Sequence, residues 1–139
     1  MSKTIIAVRG VSNAGKTTSI KRACELVKIE YPSAKVTQHP GNVDIFVEVE
    51  INRHIIVFYS RGDRPDQVRD IFQRIERLNW NVLVCATRSK GETVDIVEGA
   101  GFDHLIWIYK SRWTPDDETM ARGIIDYITG CLDVPTMVA

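Results

Sequence analysis

Thr4-Ile5-Ile6-Ala7-Val8-Arg9-Gly10-Val11-Ser12-Asn13-Ala14-Gly15-Lys16-Thr17-Thr18 is the stretch whose reading decides the fold. Ile5 to Val8 is a short continuous apolar run, the pattern of a parallel strand covered on both faces. Thr18 to Ile29 carries apolar residues at helical spacing. Between them, Gly10 to Thr17 satisfies G-x-x-x-x-G-K-[ST] at every defined position, in the strand-then-helix context that this pattern requires. Gly10 and Gly15 leave room for phosphate oxygens to approach the main chain. The intervening Val11, Ser12, Asn13 and Ala14 then turn successive N–H groups inward as an anion nest, at the positive end of the following helix. Lys16 supplies a mobile charge for β- and γ-phosphates, and the Thr17 hydroxyl is placed to ligate Mg²⁺. Thr18 is expected to cap the helix or face the base and α-phosphate side.

Working outward, the chain of 139 residues has the length of one domain spanning 1–139, with 44 % apolar and 26 % charged residues. Eighteen basic and eighteen acidic residues cancel, which gives no bulk charge to draw the chain to nucleic acid or to a membrane surface. Cys24, Cys85 and Cys131 are scattered and odd in number, so they read as reduced core thiols, and His39, His54 and His104 show no ligand spacing. No apolar run approaches the length of a membrane span, and the first residues lead straight into a strand. The expected location is cytoplasmic.

Further along, strands and helices alternate. Val43 to Ile51 places Val43, Ile45, Val47, Val49 and Ile51 on one face, with Phe46 among acids on the other, as in a half-exposed strand near a sheet edge. Asp44, Glu48 and Glu50 read as its solvated side. After a tight Asn52-Arg53 connection, His54 to Tyr59 reads as a central strand. Asp66 to Leu78 is an amphipathic helix, Val82 to Ala86 a buried strand, Glu92 to Glu98 a short helix and Leu105 to Tyr109 a fifth strand. Thr114-Pro115-Asp116-Asp117 has the signature of a capped helix start, with proline at the first position. The expected architecture is a three-layer α/β/α sandwich on a mostly parallel five-stranded sheet. Ligands of such sheets sit beyond the carboxyl ends of the strands.

On Gly10 to Thr17 and this element order, the chain resembles the P-loop NTPases. Its hairpin followed by an acidic loop looks like their kinase–GTPase division. The resemblance implies binding of a Mg²⁺–nucleotide, attack on the γ-phosphate, and a central first strand with the strand from His54 to Tyr59 beside it. Two departures stand out. The family's second signature is an apolar strand ending in a metal-holding Asp. Here the strand ends Tyr59-Ser60-Arg61-Gly62-Asp63, so the metal role passes to Asp63 three residues on, with the Ser60 hydroxyl as a further candidate. Asp63 also reads, with Pro65 and Asp66, as the lead-in to a helix. GTPases of the division read guanine with Asn-Lys-x-Asp after the fourth strand. This chain has Ala86-Thr87-Arg88-Ser89-Lys90, which favours ATP over GTP.

Arg61 and Arg64 lie in the loop where the family senses the γ-phosphate, and Arg88 and Lys90 follow the fourth strand. A cation from either loop would stabilise charge on the transferred group or grip an acceptor. The catalytic candidates are thus Lys16, Asp63, Arg61 and Arg88, and the metal candidates are Thr17 and Asp63. Lys110, Ser111, Arg112 and Trp113 could shelf the base, or Trp113 could pack on the last helix. Three functions follow: slow Mg²⁺-dependent ATP hydrolysis that switches the loops at 31–42 and 60–66, phosphoryl transfer to a small molecule, or nucleotide sensing without catalysis. The acceptor or effector and the oligomeric state are not written in the residues.

Overall fold

The computed structural model describes residues 2–40 and 45–138, with 133–138 described by their course within a helix alone. The elements run β1 (Thr4–Arg9), α1 (Lys16–Glu30), β2 (Lys35–Gln38), β3 (Phe46–Ile51), β4 (His54–Tyr59), α2 (Pro65–Ile75), β5 (Val82–Thr87), α3 (Glu92–Glu98), β6 (His104–Tyr109) and α4 (Asp117–Val138). All six strands join one sheet in the order β2-β3-β4-β5-β1-β6. The pairs β4·β5, β5·β1 and β1·β6 are parallel, while β2·β3 and β3·β4 are antiparallel.

Two sequence expectations are corrected here. The sheet is mixed and six-stranded, not a mostly parallel sheet of five. The extra strand, β2, is exposed at every position and so carries no burial pattern to betray it. It also replaces part of the expected switch loop at 31–42. The strand order differs as well: β5 lies between β1 and β4, so the strand from His54 to Tyr59 is not β1's neighbour.

The period of two along each strand sorts the core. Ile6, Val8, Val47, Val49, Ile56, Phe58, Val82 and Val84 point to one face and pack with Ile20, Val27, Met120, Ile124 and Ile128 of α1 and α4. Ile5, Ala7, Phe46, Val57, Tyr59, Leu83 and Cys85 point to the other and meet Val68, Ile71 and Ile75 of α2 and Val97 of α3. Asn52 and Arg53 hold positive φ angles of 49° and 72°, which a two-residue hairpin turn between right-twisted strands demands. Strand β3 begins at Phe46, and Val43 and Asp44 lie outside the described residues. Helix α4 begins at Asp117, two residues later than the proline suggested, with the Asp116 carboxylate accepting the Thr119 N–H at 2.8 Å.

Burial pushes the Cys85 thiol up to about 12 and Cys24 to about 11, so both rest as neutral thiols in the core. The three cysteines are free. Among the described residues no helix is long and apolar enough to cross a membrane.

The topology sets the site. Strands β1 and β5 are adjacent and parallel, yet the chain leaves them on opposite faces: α1 after β1 joins the α4 side, and α3 after β5 joins the α2 side. Chains that part this way leave a crevice beyond the carboxyl ends of the two strands. The loops at 10–15, 60–64, 88–91 and 110–116 gather around it.

Candidate functional site

Lys16 lies in that crevice. Its ammonium donates to the Gly10 carbonyl at 2.8 Å and the Thr87 carbonyl at 2.7 Å, bridging the ends of β1 and β5. A third bond, 2.7 Å long, goes to Oδ1 of Asp63. An ammonium has three donors, so all are in use. Lys16 is only 5 % exposed. Burial pulls its pKa below the ordinary value, Asp63 pulls it back up through hydrogen bonding and charge, and the nearby Arg88 adds to the depression. A cation held this way is available to an anion that can displace Asp63.

The main chain before Lys16 has the shape of an anion nest. Asn13 takes a φ of 64° and Gly15 a φ of 92° in the left-handed region. No side chain caps the start of α1, and the first intrahelical bond of this turn is donated by Ser19 to Gly15 O. The N–H groups of Lys16, Thr17 and Thr18 therefore face outward with the helix dipole behind them. Gly10 is sterically required, because a Cβ there would lie 2.2 Å from the Lys110 carbonyl oxygen.

A cleft of about 480 Å³ opens beside the nest, lined among others by Lys16, Thr17, Thr18, Arg61 and Asp63. Five of the residues singled out in the sequence, from two distant segments, thus line one cleft beside the nest. Thr18 also lines this cleft. Ser60 reaches it too, but its hydroxyl already accepts the Ile45 N–H at 3.2 Å and anchors the start of β3. Arg64 pairs with Asp66 at the exposed surface and points to other business. Arg61 makes no side-chain hydrogen bond or ion pair among the described residues.

Asp63 takes the helix lead-in role read for it and also pairs with Lys16. Its N–H and that of Arg64 donate to Gln67 Oε1, closing the first turn of α2, while its carboxylate stays 44 % exposed on Lys16. Gly62 makes this placement possible. A Cβ there would lie 1.7 Å from the Ala86 carbonyl oxygen, so only glycine lets the loop pass so close to β5. Gly62→Ala should therefore push Asp63 off Lys16 and destabilise the fold by about 1–3 kcal/mol. Chemical denaturation measures the second effect, and an unchanged midpoint would show that the loop relaxes freely.

A second, smaller cleft of about 240 Å³ lies on the other side of the nest, between Asn13, Gly15, Lys110, Arg112, Trp113 and Asp116. Trp113 is 80 % exposed and does not pack on α4. Lys110 is buried, donates to the Ser111 carbonyl at 2.9 Å and lies 3.7 Å from Asp117, whose Oδ1 also accepts the Ser19 hydroxyl at 3.0 Å. This small network ties the start of α4 to α1. The acid at position 117 had been read only as a first-turn residue.

Hard oxygen donors suit Mg²⁺, and the cleft offers the Thr17 hydroxyl and the Asp63 carboxylate on one wall. No group of three His, Cys, Asp or Glu able to hold a metal exists among the described residues. A Mg²⁺ ion here would thus depend on phosphate oxygens for the rest of its shell. That is how Mg²⁺ is commonly held.

Compared with protein-family models, curated proteins and solved structures, the chain matches none.

Proposed function

We propose that the chain is a small P-loop NTPase that binds ATP, in preference to GTP, with Mg²⁺ and hydrolyses it slowly. The observation that carries this reading is Lys16, saturated and buried between the ends of β1 and β5, with Asp63 as its most exposed partner. A triphosphate fits that arrangement by exchange. Its β- and γ-oxygens accept from the amides of residues 13–18 and take over the Lys16 donor now given to Asp63. The freed carboxylate then faces the same cleft as Thr17. Mg²⁺ bound by these two residues and the phosphates would neutralise charge on the transferred group.

The chain's own residues supply the remaining steps. Asp63 orients a water for in-line attack on the γ-phosphorus: the new P–O bond forms as the bond to the β–γ bridging oxygen breaks, ADP leaves with that oxygen, and the water's proton goes to the released phosphate. Arg61 borders the phosphate cleft, and Arg88 lies near enough to Lys16 to lower its pKa. Either cation can meet negative charge on the equatorial oxygens. On the opposite side, Trp113 offers an exposed ring for a base, with Arg112 beside it. The preference for adenine rests on Ala86 to Lys90, which offers no carboxylate to the guanine edge.

Phosphate release over hours from ATP and Mg²⁺ is the test. Slow turnover that vanishes on chelation with EDTA is expected. Tight ATP binding with no release would instead favour nucleotide sensing.

A further inference from the structure

A separate cleft of about 370 Å³ adjoins the phosphate cleft and shares Asp63 with it, with Pro65, Arg88, Lys90, Glu92 and Thr93 on its other walls. Its cationic wall is built on a fixed backbone. The Thr87 hydroxyl donates to the Arg88 carbonyl at 2.9 Å, the Arg88 N–H donates to Thr93 Oγ1 at 3.0 Å, and Arg9 Nε donates to the Ser89 carbonyl at 2.7 Å. Arg9 is itself held against the rings of Trp107 and Tyr109, at 5.1 and 5.4 Å from their centroids. Gly91, at a φ of 96°, then turns the chain into α3.

The side chains on this pinned loop are unspent. Arg88 and Lys90 make no ion pair among the described residues. The nearest acid of the loop, Glu92, is engaged by Arg69. Asp63 has its charge countered by Lys16. Both carboxylates that line the cleft, Asp63 and Glu92, are thus paired with other cations, and Arg88 and Lys90 are its unpaired charges, in a space at the small end of the size range of ligand sites.

We propose that this cleft binds a second small molecule through its carboxylate or phosphate group, held by Arg88 and Lys90 beside the γ-phosphate position. The proposal deepens the nucleotide reading by naming the class of the second ligand, and it rests on that reading for the neighbouring phosphate.

The test uses backbone amide NMR of the full chain with ADP and Mg²⁺ in excess, titrated with glycerol 3-phosphate, malate or uncharged glycerol. We expect at least one of the two anions to shift the amides of residues 88–93 saturably, while glycerol does not. Whichever anion acts identifies the group recognised. Lys90→Gln should weaken that response about tenfold, as loss of a charge-assisted contact does. No saturable shift at 88–93 with either anion, or an equal response in Lys90→Gln, would overturn the proposal. The same spectra separate the two readings: ADP that leaves residues 10–18 unmoved removes the nucleotide site, whatever happens at 88–93.

Discussion

Lys16→Ala is expected to weaken ATP binding about 10- to 100-fold. The reason lies in what the ammonium does on exchange. It gives up one charge-assisted bond to a half-exposed carboxylate and gains one to a phosphate carrying more charge, while its two carbonyl bonds keep it in place. Such bonds are worth about 1.5–3 kcal/mol each, and about 1.4 kcal/mol is tenfold in affinity. Calorimetric titration reads this directly, and equal affinity in parent and variant would remove Lys16 from the site.

The companion variant Lys16→Met strips the Gly10 and Thr87 carbonyls and Asp63 of their donor, so it should destabilise the nucleotide-free fold by about 1–3 kcal/mol, less the burial penalty on the charge it deletes. The sign of the pH dependence follows from the same penalty. Lys16 has a folded-state pKa below its ordinary 10.5, so the folded parent releases that proton at a lower pH than the unfolded chain. Parent stability relative to Lys16→Met should accordingly rise as the pH climbs from the folded value towards 10.5.

Asp63→Asn is expected to have two opposite effects. Without magnesium, ATP should bind as tightly as to the parent or several-fold more tightly, because the carboxylate that competes with phosphate for Lys16 is gone. With magnesium, the apparent metal affinity should fall about 10- to 100-fold and turnover should fall with it. The opposition is what discriminates. A residue that merely led into α2 would change neither, and a residue that only shaped the cleft would weaken binding under both conditions. Magnesium titrations of phosphate release, beside ATP binding in EDTA, measure the pair.

Much of this arrangement was legible in the residues. The pattern from Gly10 to Thr17 located the bend, and the periods of two and 3.6 marked the elements that carry the core. The strand from Phe46 to Ile51 read correctly because Val47, Val49 and Ile51 alternate with exposed or half-buried acids. The strand from Lys35 to Gln38 did not, since a strand exposed at every position is held by main-chain bonds to β3 and leaves no apolar trace. The order of strands was missed for a related reason: Val57 and Leu83 are equally buried and apolar, and nothing in either says which of their strands lies against β1. Asp63 reads as a metal candidate from its distance to the strand end, which says nothing of Lys16. Its bond to Lys16 depends on Gly62 passing beneath Ala86, which only the packed sheet reveals. The contacts of Arg9 and Asp117 escape the sequence because each acts through a partner about eighty to a hundred residues away.

The most direct measurement is a crystal structure grown with a non-hydrolysable ATP analogue and Mg²⁺. The account predicts β- and γ-phosphate oxygens within hydrogen-bond distance of the amides of residues 13–18, with the Lys16 ammonium turned from Asp63 onto phosphate. An analogue bound elsewhere, or Lys16 still seated on Asp63 with the nest empty, would contradict it.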